Sequence, residues 1–251
     1  MTRDEIIVRW IATDRIMPRH RAALEALLDP AETAHAARFR FDEDRLAFVA
    51  AKALTRAILT LLVKRPPHSW QFRKGPFGKP EPILWSGEPA VCFNLSHTKG
   101  LAVVAASIGR EIGVDAEWIG RPAPLEIAET HFAPEELTQI YDHMPKHRDE
   151  TFFKLWTLKE AYMKATGKGI HLALNSFAFG LDPIRLLSSA EAGESARWRF
   201  QVRRIGANHM LALAADRPDA CPLLISQKPA SLDWIAALSQ AKCPSEIILS
   251  V

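Results

Sequence analysis

Residues 153–164 read Phe153-Lys154-Leu155-Trp156-Thr157-Leu158-Lys159-Glu160-Ala161-Tyr162-Met163-Lys164, and the reading of the whole chain is built outward from them. No Pro or Gly interrupts the stretch. Leu155, Leu158, Tyr162 and Ala165 recur at the spacing of one helix face. The helix is expected over residues 149–166, closed by Gly167 and Gly169. Glu160 and Lys164 lie four residues apart on the polar side, roughly 40° from each other. Taken alone they are an ordinary surface ion pair. Phe153 and Trp156 beside them point instead to a covered pocket.

Downstream of this helix, Trp198, Phe200 and Val202 alternate with Arg199, Gln201 and Arg203, and Gly206-Ala207-Asn208 turns the chain into a second apolar strand over 209–215. The same order occurs earlier. A helix is expected over 42–64, with Leu46, Val49, Ala53, Ala57 and Leu61 at helical spacing and Pro66-Pro67 ending it. A hairpin follows, made by 91–95 and 101–107 around a turn at 97–100. Residues 6–11 read as a strand, 21–28 and 32–38 as helices, and 66–90 as Pro- and Gly-rich loop with short strands. Residues 112–118 form a further strand with Ile112, Val114, Ala116 and Trp118 on one side. Pro134 opens a helix to about 142. Helix then hairpin appears twice, divided near residue 110, which suggests an α+β fold of two related halves, 1–110 and 111–251. Residues 216–251 read as loop, a short helix around Trp234 and an apolar Ile247-Ile248-Leu249 segment, with no chemistry attached.

The composition is that of a globular protein: 251 residues, 48% hydrophobic and 24% charged, enough for a sizeable core. A net charge of +3 is too weak to argue for nucleic acid. Cys92, Cys221 and Cys243 are scattered singly, with neither a disulfide framework nor metal-ligand spacing. The charged start at Arg3-Asp4-Glu5 shows no signal peptide. The apolar run 101–108 is too short to cross a bilayer, which takes about 20 residues. A cytoplasmic protein with no membrane partner is the expectation.

Three groups of residues can carry chemistry. Asp115 and Glu117 in Gly113-Val114-Asp115-Ala116-Glu117 share the strand face opposite the apolar one, and two hard carboxylates so placed suit Mg²⁺, although the pair by itself reads first as a solvated strand face. Arg45, Lys52 and Arg56 fall within about 40° of each other on their helix, a cationic stripe able to hold phosphates or to face solvent. Asn94-Leu95-Ser96-His97 leads into a tight turn whose hydroxyl, imidazole and backbone N–H groups can hold a phosphate, and Lys79 in the stiff loop Gly75-Pro76-Phe77-Gly78-Lys79-Pro80 adds another cation. Carboxylates for a metal, cations for phosphates and no Ser or Cys nucleophile motif together indicate phosphoryl-transfer chemistry.

In order along the chain, Phe93-Asn94-Leu95-Ser96-His97-Thr98, Gly113-Val114-Asp115-Ala116-Glu117 and the stretch 153–164 resemble the three core motifs of the surfactin-type 4′-phosphopantetheinyl transferases, within the holo-acyl-carrier-protein synthase superfamily. The resemblance covers roughly residues 38 to 180 and includes Gly78-Lys79-Pro80 and the helix bearing Arg45. It implies a monomer built as a pseudo-dimer of two similar α+β halves, each a helix packed on a small antiparallel sheet, with the active site in the cleft between them. It implies coenzyme A as co-substrate and an apo acyl or peptidyl carrier protein as partner. On the same ground Asp115, Glu117 and Glu160 hold Mg²⁺. Arg45, Lys79, Ser96, His97, Lys159 and Lys164 contact the cofactor, and Glu160 and Lys164 are catalytic. Ahead of Arg45, where some relatives carry lysines near the adenosine, this chain offers only Arg38 and Arg40.

Two other classes stay open at this point. A coenzyme A-binding module without turnover keeps the fold but not the chemistry, and the intact set Asp115, Glu117, Glu160 and Lys164 speaks against it. A nucleic-acid-binding protein built on the basic stripe lacks a basic tract or a recognised motif.

Overall fold

The structure is a computed structural model and describes residues 5–142, 144–189, 193–216 and 224–240. The first elements are β1 (Glu5–Ala12), α1 (Pro18–Glu25), α2 (Pro30–Ala36) and α3 (Asp42–Val63), then β2 (Phe72–Lys74) and β3 (Pro80–Pro82). The hairpin strands β4 (Val91–Thr98) and β5 (Leu101–Ile108) follow, with β6 (Ile112–Trp118) after them. The helices α4 (Leu125–His131), α5 (Pro134–Tyr141) and α6 (Pro145–Thr166) lead to β7 (Phe177–Leu181) and β8 (Ile184–Ser189). The remainder is α7 (Glu194–Arg197), β9 (Trp198–Ile205), β10 (His209–Asp216), β11 (Leu224–Pro229) and α8 (Leu232–Gln240).

The chain forms two compact units. One comprises Met1–Gly75, Pro80–Gly109 and Leu223–Val251; the other comprises Pro76–Lys79 and Arg110–Pro222. The halves expected at 1–110 and 111–251 differ from these units in two places. The loop residues 76–79 belong with the second unit, and the C-terminal segment returns to the first. The return has a physical basis: β11 pairs in parallel with β1, from Glu5↔Leu224 to Trp10↔Pro229, and Ile235 and Leu238 of α8 are fully buried in the same core as α3. The Ile247-Ile248-Leu249 segment, Cys221 and Cys243 lie outside the described residues.

In the first unit, α3 lies on a sheet of order β11-β1-β5-β4. The acids Asp42, Glu43 and Asp44 occupy the first turn of α3, where they complement the helix dipole, and Lys64 at φ 60° stops it ahead of Pro66-Pro67. The apolar face of α3, including Val49, Ala53, Leu54 and Ala57, meets Ala102, Val104 and Ala106 of β5 and Phe93 of β4 in one core. This helix is long and apolar enough to span a membrane by length and composition. However, 72% of its most apolar window is buried inside the protein, as befits a core helix.

In the second unit, α6 lies across β6 and β10 of a sheet ordered β6-β10-β9. Both units are therefore a long helix on a small sheet, and the fold is α+β. The helix α6 starts at Pro145, a turn earlier than its periodicity indicates, because the ring of Pro is accommodated at the first helical position. Phe152, Leu155, Leu158, Ala161, Tyr162 and Ala165 pack with Phe177, Phe179 and Trp198 to form the second core.

Candidate active site

Strand β6 carries Asp115 and Glu117, and α6 carries Glu160 and Lys164. One glycine brings them together. A Cβ on Gly113 would stand 2.0 Å from the carbonyl oxygen of Ala161 and 2.4 Å from the amide nitrogen of Ala165, so only hydrogen fits beneath the helix. Residues 113, 115 and 117 share one strand face by the two-residue period. The helix therefore settles on the strand at Gly113 and presents Glu160 and Lys164, neighbours of Ala161 and Ala165, to that same face. Lys164 Nζ lies 2.6 Å from Asp115 Oδ1. The strand is not half-solvated. Asp115 is 4% exposed on one face, and Ile112, Val114 and Ala116 are buried on the other.

Glu117 is fixed through both oxygens. Trp156 Nε1 donates to Oε1 at 3.1 Å, and Arg121 Nη2 lies 3.8 Å from Oε2. Burial first, and then the neighbouring Asp115 charge, push the Glu117 carboxyl up to about 7, against the indole hydrogen bond and the charges of Arg121 and Lys164. Glu160 is also raised, by burial and then by Asp115, with Lys164 opposing. The Glu160 side chain lines a cleft of about 410 Å³ whose walls are His131, Met163, Leu172, Ala173, Leu174 and Asn175. The Asp115 charge thus acts on both Glu117 and Glu160, and the Lys164 ammonium opposes it at each. Among the described residues, no three His, Cys, Asp or Glu side chains stand within metal-holding distance of one another. Lys164 occupies the position on Asp115 that a counter-ion would share.

The remaining residues singled out in the sequence are placed as follows. Lys159, expected to contact cofactor, is fully buried. Its ammonium is 2.7 Å from Glu136 Oε2 and donates to the carbonyls of Leu174 and Phe177. It is a structural cation whose donors are all satisfied, and the expectation is corrected on that ground. Burial pushes Glu136 up and Lys159 down, against their mutual attraction.

The cationic stripe on α3 is neutralised within the first unit. Arg56 is 1% exposed and bridges Asp29 and Glu32, and Lys52 lies 3.5 Å from Glu32. Asp29 and Glu32 form the capping box of α2, so this pair of cations fastens that helix to α3. Arg45, half-exposed, pairs with Glu25 at 2.5 Å and lines a cleft with Thr33, Phe39 and Arg40. Lys79 reaches Glu111 Oε2 at 3.1 Å and the carbonyls of Ile112 and Ala165 at 3.2 Å. Its three protons are thus directed at protein oxygens, and it ties the 76–79 loop to β6 and the end of α6, where cofactor contact was expected.

Ser96 and His97 are strand residues, paired with Val103 and Ala102, rather than part of the turn, which falls at Lys99-Gly100. Successive residues leave opposite faces of a strand, so Ser96 is buried on one side. His97 lies edge-on to Phe48 of α3 on the other, with ring centroids 6.2 Å apart. His35, which the sequence reading passed over, lies 5.0 Å from the same ring, and Lys52 Nζ stands 5.5 Å from its centre. Three basic groups thus surround Phe48. No local pattern announces this, because His35, Lys52 and His97 come from two helices and a strand.

Comparison with known proteins adds the following. A model of the "4′-phosphopantetheinyl transferase superfamily" matches residues 111–214, and a model of the "4′-phosphopantetheinyl transferase, N-terminal" region matches residues 15–109. A Synechocystis protein whose name places it among the 4′-phosphopantetheinyl transferases is 30% identical over 214 residues, 82% of this chain and 85% of its own length. The 4′-phosphopantetheinyl transferase HetI of a Nostoc species is 38% identical over 150 residues, 59% of this chain and 62% of the relative. The 4′-phosphopantetheinyl transferase Sfp of Bacillus subtilis is 28% identical over 198 residues, covering 77% of this chain and 84% of the relative.

Proposed function

We infer the roles of these residues from the premise that the chain belongs to the 4′-phosphopantetheinyl transferase superfamily. The protein transfers the phosphopantetheine arm of coenzyme A to a serine of a carrier protein and releases 3′,5′-ADP. The serine Oγ–P bond forms at the β-phosphate as the bond from that phosphorus to the ADP oxygen breaks. We assign it to the surfactin-type branch on the strength of the three motifs at 93–98, 113–117 and 153–164.

The residue chemistry divides as follows. Glu160 is the base that takes the hydroxyl proton of the carrier serine. Burial and then the Asp115 charge raise its carboxyl above the ordinary carboxylate range, the direction that makes it a better proton acceptor. Lys164, whose ammonium stands 2.6 Å from Asp115 Oδ1 beside Glu160, is the donor to the pyrophosphate. Asp115, Glu117 and Glu160 are hard oxygen donors of the kind that would hold Mg²⁺ once drawn together, and the Asp115 charge that raises both glutamates is what a divalent ion would offset. Bound there, Mg²⁺ would neutralise charge on the pyrophosphate. His97, with His35 beside the same Phe48 ring, is suited to the phosphate groups of the nucleotide end, in place of the lysines that some relatives carry. The protein is proposed to act as a cytoplasmic monomer.

The observation that carries this reading is the juxtaposition of Asp115 and Lys164 at 2.6 Å, with Glu117 and Glu160 alongside. The test is intact mass spectrometry of an apo acyl carrier protein incubated with the protein, coenzyme A and Mg²⁺, beside EDTA and Glu160→Gln controls. A gain of one phosphopantetheine that disappears in both controls is expected. Coenzyme A binding with no gain on any of several carriers supports the binding-module reading instead.

A further inference from the structure

We propose that the first unit holds a binding site for a small amphipathic carboxylate, in a cavity where β1 and β11 meet the start of α8: the Arg9 guanidinium takes the head, and Ile58, Leu61 and Trp234 enclose the apolar body. None of these residues has a part in the transfer reaction, and the site stands or falls independently of it. Residues 7, 9 and 11 of β1 share one face. Ile7 and Ile11 are buried there in the core with α3, so the alternation calls for a third aliphatic side chain between them. The residue in that place is Arg9, 8% exposed. A guanidinium so buried is expected to meet an acid. Its partners among the described residues are neutral instead. Nη1 donates to the carbonyls of Val8 and Ser226 at 3.0 and 2.8 Å, and Nη2 donates to Ser226 Oγ at 3.1 Å. Glu5 acts on Arg9 only as a neighbouring charge, against the burial that lowers its pKa. Of the five N–H groups of an arginine, Nε–H and one Nη2–H are left without an acceptor among the described residues. Those two adjacent donors are the fork that a carboxylate bridges with both oxygens.

The cavity that Arg9 lines measures about 250 Å³. At about 30 Å³ for a water-sized group it has room for about eight of them, the heavy-atom count of hexanoate. Ile58 is fully buried, and Leu61 and Pro229 continue the apolar wall. On α8, Trp234 packs against the first core, and its Nε1 is buried with no acceptor among the described residues. The indoles of Trp70, Trp156 and Trp198, by contrast, each donate to a side-chain oxygen. A buried donor left unmatched is costly, and a ligand oxygen in this cavity relieves it. The charged residues lining the cavity are both cations. Lys228, exposed, is the partner of Arg9 in the β1–β11 register. Asp233, the acid in the first turn of α8, is engaged by His20 Nε2 at 3.1 Å and lies 4.0 Å from Arg19 Nη2. A free phosphate satisfies the cations and wastes the apolar walls, and an uncharged aliphatic molecule does the reverse. A carboxylate on a short hydrocarbon body matches both.

The experiment titrates the full chain with hexanoate by calorimetry, in the presence of saturating coenzyme A, beside hexanol, acetate and inorganic phosphate. Wild type, Arg9→Met and Trp234→Phe are compared, and thermal midpoints are followed in parallel. Met keeps the stem of Arg9 and loses the fork, and Phe keeps a ring and loses the indole N–H. Hexanoate is expected to bind the wild type and to raise its thermal midpoint. Hexanol, which lacks the charge, is expected to bind about 10- to 100-fold more weakly, and Arg9→Met to weaken hexanoate by a similar factor. Acetate, which lacks the body, is expected to bind about 100-fold more weakly. Trp234→Phe is expected to weaken hexanoate about two- to tenfold. No hexanoate binding to the wild type overturns the proposal, as does hexanoate binding that both variants leave unchanged. Phosphate or acetate binding as tightly as hexanoate overturns the amphipathic ligand class, and displacement of hexanoate by coenzyme A overturns its placement at Arg9. Should Arg9→Met fail to fold, Trp234→Phe and the hexanol and acetate comparisons on the wild type decide the matter.

Discussion

Lys159 and Glu160 are adjacent in sequence and have opposite fates. Glu160 opens into a cleft, and Lys159 closes on Glu136 with every proton bonded. Replacing Glu160 with Gln keeps the shape and removes the base, so transfer is expected to fall by about 10²- to 10⁴-fold. Coenzyme A binding, read by calorimetry, persists. Lys159→Met leaves Glu136 charged in a dry core and is expected to cost about 3–5 kcal/mol in urea unfolding. Pairing it with Glu136→Leu removes the orphaned charge as well, and most of the loss should return. A double variant no more stable than Lys159→Met would mean that the pair is not the reason for the burial of Lys159. Glu117 gives a prediction in pH. Its carboxyl titrates near 7 in the folded protein against an ordinary 4.5. Between those values the native state retains a proton that the unfolded chain releases, so this group makes stability fall as pH rises from about 4.5 to about 7. In metal-free buffer, the thermal midpoint of Glu117→Gln relative to wild type is therefore expected to climb across that window and to level off above it. A difference that stays flat with pH would show that Glu117 is not raised.

At the scale of elements, the site depends on how closely α6 approaches β6. Gly113→Ala places a methyl 2.0 Å from a backbone carbonyl that has no side chain to rotate away. Either the helix lifts or the strand bends, and a cost of about 3 kcal/mol or more is expected in unfolding. The same variant separates Lys164 from Asp115, so transfer should fall further than stability explains when assayed well below the variant's melting temperature. Full activity in a stable Gly113→Ala protein would refute the close-approach account. Of this arrangement, the glycine and both acids are visible as Gly113-Val114-Asp115-Ala116-Glu117, and the helix is visible from its period. That the acids face the helix rather than water is not visible. A two-residue alternation says that two faces differ, not which neighbour covers each. The stripe on α3 misled for the same reason. Arg56 is a surface residue by its place on the helical wheel, and only the docking of α2 shows that Asp29 and Glu32 bury it.

For the whole molecule, the return of β11 and α8 to the first unit gives that unit residues from both ends of the chain. Ile235 is fully buried there, so Ile235→Ala is expected to cost about 2–5 kcal/mol. Hydrogen exchange should quicken in β1, α1 and α3 while β6 and α6 keep their protection. Faster exchange confined to α6 would contradict the division into units. The sequence by itself determined the two long helices, the two hairpins and the strand that carries Asp115 and Glu117. Each of these is written in local periodicity, turn residues or short motifs. Only the tertiary structure decided that Lys159 is a core cation, that Ser96 and His97 leave opposite faces, that His35 joins His97 at Phe48, and that the last strand belongs with the first. Those outcomes depend on partners tens to hundreds of residues away. Burial, which sets the energy of a charge, is a property of the packed molecule and not of the segment that carries it.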